Sequence, residues 1–158
     1  MEALITTSAA EFRAGLPGGG GLLGLDLGTK TIGTAFCDAG WRFASPGKTI
    51  ARGKFGADKA LLAELIRERS LKGVVIGLPI NMDGSEGPRS QSSRAYARNL
   101  AVLGLPILLW DERWSTAGAE RDLIAQDMSR ARRAERIDSA AAAVILQGAI
   151  DALAGSAF

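Results

Sequence analysis

The stretch Leu22-Leu23-Gly24-Leu25-Asp26-Leu27-Gly28-Thr29-Lys30-Thr31-Ile32-Gly33 (LLGLDLGTKTIG) reads as an apolar strand, a tight turn and the start of a second strand. Strands without polar alternation are covered on both faces, as in a sheet flanked by helices. Asp26 stands between two leucines in this dry setting. An ionised carboxylate is costly there unless it is paired, hydrogen-bonded or bound to a cation. Taken alone, Asp26 is compatible with a turn residue before Gly28, with the start of a phosphate loop, or with a metal ligand.

The pattern continues outward. Residues 1–20 form a peripheral lead-in, in which Ser8-Ala9-Ala10-Glu11 is a capping box for a short helix that ends at Pro17-Gly18-Gly19-Gly20-Gly21. Apolar runs at 21–27, 31–37 and 43–50 are split by Gly28-Thr29-Lys30 and Asp38-Ala39-Gly40, which predicts an antiparallel meander. Leu61, Leu62, Leu65 and Ile66 then recur at helical spacing over 57–69. A strand at 73–78, a loop from Pro79 to Gly87, a helix over 88–103 and a strand at 106–110 follow. That strand runs into Asp111-Glu112-Arg113, and Ser115 or Thr116 can cap a helix reaching about Gln126. A basic loop at 129–136 leads to a last helix from Ile137 to Ala154. The order is βββαβαβαα. The fold class is α/β: a five-stranded mixed sheet, an antiparallel meander then right-handed parallel crossovers, flanked by helices, with one domain over 21–158.

Composition narrows the chemistry. With 158 residues, 47% of them apolar and 23% charged, the chain fits one soluble globular domain. No apolar run approaches the ~20 residues that span a bilayer. The N-terminus lacks the apolar core of a secretory signal, so a cytoplasmic location is expected. Cys37 is the single cysteine and has no internal disulfide partner. There is no histidine. Triads and dyads that use imidazole are excluded, as are histidine-built metal sites. Carboxylates with a hard divalent metal are the natural remainder. Net charge is only +2, but Arg130, Arg132, Arg133 and Arg136 cluster, and Arg89, Arg94 and Arg98 recur on one expected helix. Such a stripe suits a nucleic-acid backbone or a solvated surface, and charge alone does not choose.

The acidic residues fall at element ends. Asp26 ends the first strand, Asp111 and Glu112 close the last, and Asp138 opens the final helix. Asp138, Ala141, Ala142, Ile145 and Ala149 share one helix face. The alanines let that face lie close to a sheet, which turns Asp138 towards it. Capping the helix is the other reading of Asp138. Successive strand residues point to opposite faces, so only one of Asp111 and Glu112 is expected to join Asp26 and Asp138, and periodicity does not say which.

Four ordered motifs carry a resemblance over roughly residues 20–153: GLDLGTKTIGTAFCD (24–38), VVIGLPINMDGSEGP (74–88), LLWDERWST (108–116) and RIDSAAAAVILQGAID (136–151). Together they resemble the YqgF/RuvX family, ribonuclease H-like proteins regarded as pre-16S ribosomal RNA nucleases and related to Holliday-junction resolvases. Trp114 departs from the aliphatic residue usual after Asp-Glu-Arg.

The resemblance implies a ribonuclease H-like fold and a Mg²⁺ or Mn²⁺ requirement. It implies acidic site residues at Asp26, in the Asp111-Glu112 pair (Glu112 preferred) and at Asp138. The implied chemistry is phosphodiester hydrolysis with two ions ~4 Å apart, bridged by Asp26, leaving a 5′-phosphate and a 3′-hydroxyl. Gly28, Thr29 and Lys30 adjoin Asp26 and are substrate-binding candidates, the glycine allowing close backbone approach, and Lys30 is either a phosphate contact or an ordinary turn lysine. Asn81, in a loop that follows a strand end, is a substrate-binding candidate, with that loop flanking the substrate. Arg94, Arg98, Arg113, Arg130, Arg132 and Arg133 are candidates for backbone contacts, which give affinity rather than sequence choice.

The expected partner is pre-16S rRNA or a ribosomal precursor particle, acted on by a monomer or weak homodimer. Three alternatives remain: junction resolution on branched DNA, a non-catalytic RNA-binding adaptor, and an actin-like or sugar-kinase-like ATP-binding lobe. The last shares Asp-Leu-Gly-Thr, but this chain has the length of one lobe and no Walker-type loop.

Overall fold

A computed structural model of the protein describes residues 3–112 and 130–155, with side chains described up to 112 and from 140 onward. Its centre is the strand quoted above. β2 (the second strand in chain order, Leu22–Leu27) is buried along its whole length, pairs antiparallel with β3 (Thr31–Cys37) and runs parallel to β5 (Gly73–Leu78). β3 pairs antiparallel with β4 (Ala44–Ala51), an edge strand with no buried residue. β5 pairs in parallel with β6 (Ile107–Asp111). The expected meander followed by parallel crossovers is therefore present.

The sheet has six strands rather than the expected five, in the order β1-β6-β5-β2-β3-β4. The additional strand comes from the lead-in. β1 (Ile5–Thr6) pairs in parallel with Ile107 and Leu108, and the Ile107 N–H donates to the Leu4 carbonyl at 2.8 Å. Two residues carry no period, so the sequence pattern could not announce this strand.

Helix α1 (Ala9–Ala14) follows. The Ser8 hydroxyl accepts from the Glu11 N–H at 3.2 Å, one arm of the expected capping box. The Glu11 carboxylate instead accepts from the Thr6 hydroxyl at 2.8 Å, tying the helix to β1. Phe12 is fully buried, and the Arg13 guanidinium donates to the Leu153 carbonyl at 3.1 Å.

Two apolar layers cover the sheet. On one face α2 (Phe55–Arg69) and α3 (Pro88–Leu100) enclose Leu23, Leu25, Val74, Ile76 and Leu109. On the other face the long helix α4 (Arg130–Gly155) buries Ala141, Ala142, Ile145, Leu146, Ala149 and Leu153 against Leu22, Val75 and Leu108.

Helix bounds differ from expectation in three places. α2 begins at Phe55, and the helix expected over 88–103 closes as α3 plus a 3₁₀ turn at Ala101–Leu103. The segment expected as a basic loop is the start of α4, because Arg, Ala and Glu are strong helix formers and no Gly or Pro interrupts them. The helix expected between 115 and 126 lies outside the described residues.

Candidate active site

Strand alternation assigns the faces. Gly24 lies against α4: a Cβ there would stand 2.8 Å from Leu146 Cβ and 3.3 Å from the Ala142 carbonyl oxygen. Asp26, two residues on, shares that face. It is 2% exposed and opposite Gly33 of β3. Leu25 pairs with Ile76, so Gly77 is the β5 residue next to Asp26 on the α4 face. Gly77 in turn pairs with Trp110, and Leu78 with Asp111.

This register separates the two acids that the sequence left unresolved. Asp111 falls on the face opposite Asp26, beside a cavity of about 280 Å³ lined by Leu78, Ile80, Arg94 and Leu109. Glu112 follows the end of β6 and returns over Gly77: a Cβ at Gly77 would lie 2.7 Å from Glu112 Oε1 and 2.7 Å from Ile145 Cδ1. Glycine at 77 thus leaves the room that the Glu112 side chain occupies, on the face Asp26 shares.

Contacts also set the direction of α4. Ala142 and Leu146 meet Gly24, while the Gln147 carboxamide accepts from the Ala44 N–H at 2.8 Å and donates to the Arg42 carbonyl at 3.0 Å. Ala44 stands opposite Cys37, which stands opposite Leu22. α4 therefore runs antiparallel to β2. Asp138 lies one turn before Ala142, about 6 Å along the helix axis, and Asp26 lies two residues beyond Gly24, about 7 Å along the strand. Both steps lead to the same end of the sheet. Asp138 does not open a helix, since α4 starts more than two turns earlier at Arg130, so the capping reading fails. Its side chain lies outside the described ones.

The turn after Asp26 is braced from two directions. The Gly28 N–H donates to the Thr31 carbonyl at 2.9 Å, and a Cβ on Gly28 would stand 2.9 Å from that same oxygen, so close approach requires glycine here. Thr29 and Lys30 are exposed. The Arg52 guanidinium donates to the Gly28 carbonyl at 2.7 Å, and the Arg89 guanidinium reaches the Leu27 carbonyl at 3.4 Å. Neither arginine was singled out as a site residue from sequence. Both act on backbone carbonyls of a distant segment, and no residue spacing signals that.

The remaining candidates are more dispersed. The Asn81 carboxamide donates to the Ser85 hydroxyl at 3.0 Å and so braces its own loop, beyond the end of β5. Arg94 is held by Glu86 through two hydrogen bonds of 2.6 and 2.7 Å, which lower the Glu86 pKa. It faces the Asp111 side of the sheet. Arg98 is exposed one turn further along α3. Arg132 and Arg133 lie in the first turns of α4, and Arg113 lies outside the described residues.

The donor set suits a hard divalent cation, since Asp26 and Glu112 are carboxylates on one face of one sheet end and such ions take oxygen ligands. Among the described side chains no three acidic or other metal-ligating groups converge on one point. Asp138 is not among those side chains.

The fold has counterparts among solved structures. Thermus thermophilus RuvC matches with a TM-score of 0.53 and 16% identity, covering 85% of this chain and 96% of that one. A structure described as T. thermophilus RuvC in complex with Holliday junction substrate matches with a TM-score of 0.55 and 14% identity, covering 87% of this chain and 97% of that one. At these identities the likeness is one of fold, and that fold is the ribonuclease H-like α/β arrangement, the class expected above.

Within that class the chain belongs to the RuvX family, whose model, described as "Holliday junction resolvase", matches residues 20–152. A relative from Novosphingobium aromaticivorans is 69% identical, over 98% of this chain and all of its own length. One from Sphingopyxis alaskensis is 67% identical, over 95% of this chain and 99% of its own. Both bear the name "Putative pre-16S rRNA nuclease".

Proposed function

We propose that this chain is a divalent-metal-dependent endonuclease that hydrolyses phosphodiester bonds at the 5′ end of precursor 16S ribosomal RNA. The observation that carries the reading is the placement of Asp26 and Glu112 on one face of the sheet, across Gly77, at the end towards which the Asp138 turn of α4 runs. The names of the relatives support the substrate.

In this reading Asp26, Glu112 and Asp138 hold Mg²⁺ or Mn²⁺. The ion, when bound, supplies Lewis-acid activation and neutralises charge that builds up on the phosphate in the transition state. The protein supplies position. β2 is buried throughout, paired with β5 up to Leu25 and with β3 at Asp26 itself, so Asp26 has little freedom to move. Gly77 gives Glu112 its seat. With no imidazole in the chain, carboxylates do the orienting work that histidine does elsewhere. Lys30, Arg132 and Arg133 contribute phosphate contacts, which add affinity without reading sequence.

Cleavage of branched DNA is the second reading, favoured by the description of the family model. One experiment separates the two. An RNA carrying the 16S 5′ precursor end and a four-way DNA junction are incubated with the protein and Mg²⁺ or Mn²⁺. Metal-dependent cutting of the RNA, leaving a 5′-phosphate and lost in Asp26→Asn, supports the proposal. Cutting of the junction alone assigns the second reading, and cutting by Asp26→Asn at the wild-type rate overturns the site.

A further inference from the structure

Arg52 lies just past the end of β4, on the strand furthest along the sheet from Glu112. Its guanidinium donates to the Gly28 carbonyl at 2.7 Å, and its backbone N–H donates to the Lys30 carbonyl at 2.8 Å. One residue thus takes two carbonyls of the turn that follows Asp26. Arg89, from the first turn of α3, reaches the Leu27 carbonyl. The backbone oxygens of Leu27, Gly28 and Lys30 are all engaged from outside the hairpin.

Arg52 is itself held. Its guanidinium stands 5.1 Å from the centre of the Tyr96 ring, a cation–π distance. Phe55 meets the Tyr96 ring edge-to-face at 5.2 Å between centroids. The buried Asp58 carboxylate accepts from the Gly53 N–H at 3.0 Å, which fixes the backbone beside Arg52, and lies 3.5 Å from the Tyr96 hydroxyl. These groups line a cavity of about 200 Å³ between α2 and α3, on the face away from α4.

We infer that Arg52 is a positioning residue for Asp26: clamped by Tyr96 and the Asp58-bound backbone, it locks the β2–β3 turn so that the Asp26 carboxylate is held at the orientation its task requires. This rests on the proposed function for the task, but the mechanical link is independent of it. A half-buried arginine bonded to a main-chain carbonyl and stacked on a ring is occupied in bracing the turn. An arginine serving as a phosphate contact would present its fork to solvent.

The test uses Arg52→Ala, Arg52→Lys, Tyr96→Leu and Tyr96→Phe in the full chain. Amide hydrogen exchange is read at Gly28, whose N–H closes the turn, and at Val75 in the middle of β5. Manganese binding is titrated without nucleic acid. Steady-state cleavage gives kcat and KM.

The expected result is faster exchange at Gly28 in Arg52→Ala and Tyr96→Leu, with Val75 unchanged. Manganese affinity should fall about tenfold, and kcat roughly 10- to 100-fold at constant KM, as for a small misplacement of a catalytic group. Tyr96→Phe, which keeps the ring, should recover most of what Tyr96→Leu loses. Arg52→Lys, which keeps charge without the fork, should recover only part. Wild-type exchange at Gly28 in Arg52→Ala overturns the inference. So does a loss confined to KM with a shallower salt dependence, which would make Arg52 a substrate contact. If the wild-type protein neither binds manganese nor cleaves, the proposed function fails, while exchange at Gly28 still decides the bracing role.

Discussion

The Glu112 carboxylate occupies the space that a side chain on Gly77 would need: a Cβ there would be 2.7 Å from Glu112 Oε1. Gly77→Ala should displace the flexible Glu112 and the tip of Ile145 rather than the backbone. Cleavage should drop roughly 10- to 100-fold, while stability falls by about 1–3 kcal/mol, the usual cost of overpacking. Gly56→Ala is the control. It sits in α2 with open space around it, and removing a helical glycine should raise stability by about 0.5–1 kcal/mol and leave cleavage alone. Circular dichroism melts and initial rates on both variants read the comparison. Normal cleavage by Gly77→Ala would remove Glu112 from the site.

The register between β5 and β6 divides Asp111 from Glu112, so their neutral isosteres should behave differently. Glu112→Gln should lose cleavage by about 100-fold or more, the scale for an ionic group that acts in the transition state. Asp111→Asn, on the opposite face, should stay within a few-fold of wild type. Asp26→Asn and Asp138→Asn should match Glu112→Gln. Asp26→Asn should keep a cooperative melt, so that its loss of cleavage reports on the site and not on the fold. A reversed order of Asp111 and Glu112 would show that the face assignment is wrong.

How much of this was legible beforehand depends on what each feature needs. Asp26 was legible because a charge in an apolar strand contradicts its surroundings locally. The buried helix face of Ala141, Ala142, Ile145 and Ala149 was legible because 3.6-residue periodicity survives without tertiary information. The choice between Asp111 and Glu112 was not, since it depends on which β5 residue lies alongside. β1 was not, because two residues make no pattern. The start of α4 was not legible, because a dense run of arginines suits a solvated loop as well as a helix, arginine being a good helix former. The bracing roles of Arg52 and Arg89 were not legible, because their partners are carbonyl oxygens, which every residue has.

The lead-in carries structural weight. Phe12 is fully buried with Leu16, Leu22 and Leu153 in the layer under α4. Phe12→Ala should cost about 3–5 kcal/mol, the range for deleting a buried aromatic ring. A urea melt checks this, and a shift below about 1 kcal/mol would mean that α1 is not docked in solution. The family model begins only at residue 20, so this part of the core is supplied from beyond the matched segment.

Cys37 offers a pH test that leaves the site untouched. Burial pushes its thiol from 9.0 up to about 11, with the neighbouring Asp38 charge adding a little and a backbone hydrogen bond from Leu22 opposing it. Below both values the folded thiol is about 100-fold less ionised than the unfolded one, and the thiolate is the reactive form. Iodoacetamide at pH 8 should therefore label the native protein at least that much more slowly than the urea-unfolded chain. The sign for stability follows from the raised value. Folding favours the neutral thiol, so this contribution is whole below pH 9 and is lost as pH rises through about 11. Cys37→Ala should remove that component of the alkaline loss while leaving the acid side of the profile unchanged. Equal labelling rates in the folded and unfolded protein would place the thiol at the surface and contradict its burial.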